Sequence, residues 1–142
     1  MKKIIILVFI FLLCGCKNDV ENKEMSDNNM FNEMIKITID NQSYDLNLID
    51  NETSRSFINM LPLNITMKDL NNNEKYHYLS SNLPTNDSNP KTINKGDVMI
   101  YNGNCLVIFY KSFNTSYSYT KIGHIDNLNI LDDSEIDVLL EK

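Results

Sequence analysis

Tryptophan is absent, arginine occurs once, and the 142 residues include only four glycines, three prolines and three cysteines. Each scarcity excludes something. So little glycine and proline rules out a collagen-like or low-complexity chain. With 42% hydrophobic residues there is material for a packed core, and the length suits one domain and not two. Arg55 stands against twelve lysines, so a single guanidinium fork exists for bidentate grip of a carboxylate. The formal charge of −6 repels a phosphate backbone, which excludes nucleic acid as a partner. Chemical signatures are equally scarce. No Gly-x-Ser-x-Gly elbow, phosphate loop or dinucleotide fingerprint occurs. His77 and His124 are the only histidines, and neither sits beside a cysteine pair or in a His-x-x-x-His spacing. No metal centre, cofactor or catalytic residue is therefore expected. What abounds is asparagine, with 22 residues. Coding bias toward Asn, Ile and Lys in an AT-rich genome accounts for it. The same abundance explains the Asn-x-Ser/Thr triplets, from which no glycosylation is inferred.

The N-terminus reads MKKIIILVFIFLLCGC. Lys2 and Lys3 precede an apolar run over 4–13. That run is short for a bilayer-spanning helix, which needs about 20 residues, and it suits the core of a signal peptide. The Leu13-Cys14-Gly15-Cys16 stretch resembles the bacterial lipobox, with Cys14 at its tolerant position. The resemblance implies cleavage after Gly15 and a diacylglyceryl group on the Cys16 thiol. Two acyl chains hold a protein to a membrane far more firmly than one. The expected product is exported and anchored through Cys16 on the extracytoplasmic face of the cell membrane. The alternative is an ordinary secretory signal with a chance cysteine. Loss of Lys2 and Lys3 leaves 11 basic against 19 acidic residues, a charge of −8. Cys105 would then be the one free thiol, without an intrachain disulfide partner, and its apolar run marks it as buried and structural. The expected organisation is a signal peptide over 1–15, a flexible acidic tether over 16–33, and one domain over 34–142.

From Met34 the pattern changes to strict alternation. Ile35, Ile37 and Ile39 share one face of a strand, and Tyr44, Leu46 and Leu48 share one face of a second. Asn51 or Thr53 can cap a short helix whose stripe is Phe57, Met60 and Leu61, ended by Pro62. Strands follow over 63–70 and 74–79, then a polar loop over 80–95. Segments 98–101 and 105–110 are joined through Asn102-Gly103, a strong hairpin signal. The second is apolar on both faces, which predicts the most buried strand. Further strands are expected over 118–125 and, as strand or short helix, over 133–140. Seven to eight short strands and one helix predict a mainly β protein, a closed antiparallel barrel.

The order of segments resembles the cyclophilin-like domain of small bacterial proteins. The resemblance is carried by Thr53, Arg55, Phe57 and Leu61-Pro62, by Leu83-Pro84, by Gly96-Asp97, by the 106–110 strand and by 115–123. It spans about Met34 to Leu140 and implies an eight-stranded barrel with one or two short capping helices. It implies little about activity. The Phe-His-Arg and Phe-Met-x-Gln-Gly-Gly-Asp motifs of the prolyl-isomerising cyclophilins are missing, so their catalytic residues do not carry over. Candidate ligand-binding residues are Arg55 and the phenols Tyr76, Tyr78, Tyr110, Tyr117 and Tyr119. A tyrosine offers a flat apolar ring and a polar tip. On the 115–120 stretch Tyr117 and Tyr119 share one face, where they form either a groove wall or ordinary sheet packing. Arg55 either faces a carboxylate ligand or pairs with Asp50 or Glu52. Three functions remain open: a non-catalytic module binding a small molecule or extended peptide; a divergent isomerase or other enzyme using Arg55 and the tyrosines; and a scaffold docking an envelope protein through the barrel edge. Oligomeric state is not encoded in any motif.

Overall fold

A computed structural model describes residues 33–142; the expected signal peptide and lipobox and nearly all of the expected tether lie outside the described residues. Ten strands and one helix follow in chain order: β1 (Met34–Ile39), β2 (Gln42–Leu48), α1 (Glu52–Ile58), β3 (Leu63–Leu70), β4 (Glu74–Tyr78), β5 (Thr92–Ile93), β6 (Asp97–Tyr101), β7 (Cys105–Phe109), β8 (Phe113–Asn114), β9 (Thr120–Ile125) and β10 (Ile136–Glu141). Eight of them close into an antiparallel barrel in the order β1-β10-β3-β4-β7-β6-β9-β2. The remaining pair, β5 and β8, forms a two-residue ribbon.

Alternation along the strands builds the interior. Ile35, Ile37, Ile39, Leu46, Val98, Ile100, Leu106, Ile108, Val138 and Leu140 point inward and are buried. The tight turns rest on asparagine and aspartate, which tolerate positive φ: Asp40 and Asn41 between β1 and β2, Asn71 and Asn72 between β3 and β4, and Asn102 before Gly103 between β6 and β7. Gly123 answers a different need. Its φ is ordinary, but a Cβ there would lie 2.6 Å from the Asn47 carbonyl oxygen and 2.8 Å from Leu46 Cδ1. Strands β2 and β9 approach through that vacant volume, where Leu48 faces Gly123.

The helix starts where Asn51 caps it. The Asn51 Oδ1 accepts from the Ser54 amide at 2.8 Å, and its Nδ2 donates to the Lys121 carbonyl at 2.8 Å. Thr53 does not cap; it is buried, and its hydroxyl donates to the Pro84 carbonyl at 2.6 Å. Ser54 donates to the Ile122 carbonyl at 3.0 Å. With Phe57 fully buried, these bonds pin α1 to β9 and the 83–84 loop.

Two expectations are corrected and one open alternative is resolved. The 80–95 loop contains a short strand, because Ile93 is fully buried in a second apolar cluster. The strand expected to begin at 118 begins at Thr120; Tyr119 makes an isolated bridge to Ser88. The last segment is a strand from Ile136, closing the barrel between β1 and β3.

One end of the interior is charged. Lys75 is fully buried, and its ammonium donates to Asp69 Oδ1 at 3.0 Å and to the carbonyls of Asp132 and Ser134 at 2.9 and 2.6 Å. The Tyr110 hydroxyl donates to Asp69 Oδ1 at 2.6 Å and to Asn72 Oδ1 at 3.1 Å, and the Tyr110 ring lies beneath the Lys75 ammonium at 4.9 Å. Burial pushes the Asp69 carboxyl upward, but bonds from Tyr110, Lys75 and the Asn72 amide outweigh it and hold it below the usual range. The network ties the β3–β4 hairpin to the loop before β10.

Candidate functional site

The site lies on the outside of the barrel. Strand β7 is buried along its whole length because both its faces are covered. Leu106 and Ile108 face the interior, while Cys105, Val107 and Phe109 face outward into the second cluster with Ile93, Met99 and Tyr119. The register explains which side chains join them. Glu74 faces Phe109, Tyr76 faces Val107 and Tyr78 faces Cys105 across β4 and β7, while Tyr101 faces Cys105 across β6 and β7. Period-2 alternation therefore puts Glu74, Tyr76, Tyr78 and Tyr101 on one outer surface.

The segment 113–119 forms a wall over that surface. Backbone bonds fasten it to 88–92: Thr115 N–H to the Lys91 carbonyl at 2.9 Å, Tyr119 N–H to the Ser88 carbonyl at 3.0 Å, and Ser88 N–H back to the Tyr119 carbonyl at 2.9 Å. Rings lock against each other beneath it. Phe109 meets Tyr119 edge-on at 5.5 Å and Phe113 at 5.7 Å; Tyr101 meets Tyr119 at 5.5 Å and Tyr117 at 6.2 Å. Tyr76 and Tyr78 form a separate edge-on pair at 5.8 Å. Between the two groups lies a cavity of about 450 Å³, within the size range of small-molecule sites.

Four of the predicted residues, Tyr76, Tyr78, Tyr117 and Tyr119, line this one cavity. Tyr110 and Arg55 do not. Tyr110 points inward to the Asp69 network and is 2% exposed, because it falls one residue beyond the outward-facing Phe109. Arg55 is on the exposed side of α1 and pairs with Asp50, as the ion-pair alternative anticipated. His77 binds the Thr66 carbonyl at 2.9 Å, and His124 binds the buried Asp97 at 3.0 Å, so the two histidines serve separate strands.

The residue that sequence patterning missed is Glu74. It lines the cavity, is only 9% exposed, and its carboxyl receives no hydrogen bond within the described residues. Burial pushes it up to about 7, with the Asp69 carboxylate adding to the shift. Its neighbour Asn73 also lines the cavity, and the Asn73 Oδ1 is buried with no hydrogen-bond partner. Cys105, the thiol at the cavity floor, is 5% exposed, and burial with the nearby Glu74 carboxyl raises it to about 11. It is a protonated apolar lining and not a nucleophile at neutral pH.

A second hollow of about 610 Å³ runs along β2 beside Asp126 and Asn127, but none of its lining residues is buried. A preformed site is better sought where water is already excluded.

A closed eight-stranded antiparallel barrel, one short helix over it and an aromatic cavity on its outer wall define the class: a small β-barrel domain with an external aromatic cavity. The chain belongs to the cyclophilin-like family, whose model matches residues 37–141. It is similar in fold to a hypothetical protein of Archaeoglobus fulgidus known from its solution structure, with a TM-score of 0.50 and 18% identity over 76% of this chain and 92% of that one. No curated protein matches it significantly in sequence.

Proposed function

We propose that the domain is a non-catalytic receptor for a small molecule or an extended peptide, displayed outside the cell by a lipid anchor on Cys16. The observation that carries the reading is the outer cavity. It has an apolar floor of Val107 and Cys105, phenol rings on both sides, and the Glu74 side chain along it. Such a combination buries a ligand's apolar body while fixing its orientation. The enzyme alternative loses the grouping it was built on, since Arg55 and the tyrosines are on separate surfaces. The docking alternative loses its proposed route, since the eight barrel strands close and leave no barrel edge for strand addition.

Backbone NMR of the chain during a fragment screen tests the receptor reading. Bound fragments should shift the amides of 73–78 and 113–119, and Tyr117→Ala should weaken them about fivefold or more, the order expected for removing one aromatic contact. Tyr117 is 62% exposed, so its loss leaves the core intact. Fragments that gather elsewhere, or none at all, would sink the receptor reading.

The anchor has its own test. In the producing bacterium, Cys16→Ser should move the protein from the membrane fraction to the soluble exported fraction and abolish incorporation of labelled fatty acid. Retention of label in the serine variant would exclude acylation at Cys16.

A further inference from the structure

We propose that the outer cavity recognises a protonated amine, with Glu74 as its counter-ion and the surrounding phenols as its cage. The inference rests on the receptor reading and names the ligand's chemistry.

Three independent features converge on a cation. First, Glu74 lines the cavity, is nine-tenths buried and receives no hydrogen bond within the described residues. A carboxylate is an acceptor group, and leaving it without donors in a shielded place is costly. An ammonium brings up to three N–H donors to it.

Second, among the described residues no lysine, arginine or histidine lines the cavity, so none of them gives an ionised Glu74 a counter-charge there. Lys75, next in the chain, points the other way and spends its donors on Asp69 and two carbonyls inside the barrel. The charge that bears on Glu74 is another carboxylate, Asp69, which pushes its carboxyl further up. An anionic ligand would face uncompensated repulsion; a cation would relieve it.

Third, five of the lining residues are tyrosines: Tyr76, Tyr78, Tyr101, Tyr117 and Tyr119. Aromatic faces attract cations through their quadrupoles, more strongly where water is excluded. The domain's acidic balance draws cations toward it before contact.

Two sources supply this chemistry: a free amine, or the lysine side chain of an extended polypeptide. Titration of the full chain, followed by the amide shifts of 73–78 and 113–119, separates them. The probes are benzylamine, its neutral isostere benzyl alcohol, the anion benzoate, and the peptide Ac-Ala-Lys-Ala-NH₂. Benzylamine or the lysine peptide should bind at least about tenfold more tightly than benzyl alcohol, and benzoate not at all, as expected for a charge-assisted bond in a shielded site. Glu74→Gln should remove that tenfold preference while leaving weak benzyl alcohol binding in place. Preference for the peptide over benzylamine assigns a polypeptide ligand; the reverse assigns a free amine. Benzyl alcohol or benzoate binding as well as benzylamine would overturn the amine assignment but keep the receptor. Saturation of none of the four probes in the cavity would overturn the amine assignment, and a fragment screen that also misses the cavity would remove the receptor with it.

Discussion

A Lys75→Met chain is expected to be less stable by about 3–5 kcal/mol, the usual cost of removing one partner from a buried ion pair. Methionine fills a similar volume, so the loss is not a cavity effect. It comes from the groups left behind. Asp69 loses its cation, and the carbonyls of Asp132 and Ser134 lose their donor. Single domains hold only about 5–15 kcal/mol in total, so the variant should be marginal at room temperature. Urea unfolding followed by far-ultraviolet circular dichroism measures the change. The pairing also predicts non-additivity. Asp69→Asn removes the orphaned charge, so the double variant should be less destabilised than the two single losses combined. Hydrogen exchange should rise first in 130–135, the loop that Lys75 holds by two carbonyls. Full additivity, or a Lys75→Met change below about 1 kcal/mol, would show that the ammonium is not the tie between hairpin and loop.

Glu74 produces the second large effect, and its sign is opposite to that of most carboxylates. Its folded-state value is raised above the ordinary 4.5 to about 7, so the folded chain holds that proton more tightly than the unfolded one. Its contribution is therefore fully present below about 4.5 and is lost as pH rises through about 7. At about 1.4 kcal/mol per unit, the loss is on the order of 3 kcal/mol. Glu74→Gln keeps the neutral shape and cannot ionise. The variant should match the wild type near pH 4.5 and exceed its stability by about 2–3 kcal/mol at pH 8. Groups around Glu74 also titrate: Asp69 across the hairpin, Cys105 on β7 and Tyr119 on the wall. Asp69 is already ionised in this window, and burial keeps Cys105 and Tyr119 protonated through it. Paired urea titrations at several pH values isolate the Glu74 contribution. A constant difference between the two proteins across pH would show that Glu74 ionises normally.

The parts of the structure legible in the sequence were those governed by local period. Alternation from Ile35 to Ile39 and from Tyr44 to Leu48 named the first hairpin and its inward face, and the both-sided apolar run at 105–110 named the strand with both faces covered. The short helix was readable from its asparagine cap and Phe57, but it ends at Ile58, so Met60 and Leu61 of the expected stripe lie beyond it. The closed barrel itself is the architecture expected from so many short strands. What failed were questions of which neighbour a residue meets. Tyr110 sits beside Phe109 in the chain, yet one step of the pleat sends it to the opposite side. Arg55 and the tyrosines were grouped by chemical type, and the fold separates them. Ile93 looked like part of a polar loop because its burial depends on Phe113 pairing with it from twenty residues away. Glu74 was invisible for the same reason. A glutamate on the outer face of a strand is ordinarily solvated, and only the wall at 113–119 shields it.

The circular hydrogen-bond pattern of the barrel has a consequence for how this domain can change. The ring of eight strands is complete without the 113–119 segment, which hangs outside it on the β5–β8 ribbon and the Ser88 bridge. Several residues of that wall are exposed, as Tyr117, Ser116 and Asn114 are. Substituting them does not disturb the inward set that closes the cylinder. These wall residues can therefore vary without cost to the ring. A lineage can rewrite the wall while the cylinder that carries it stays the same.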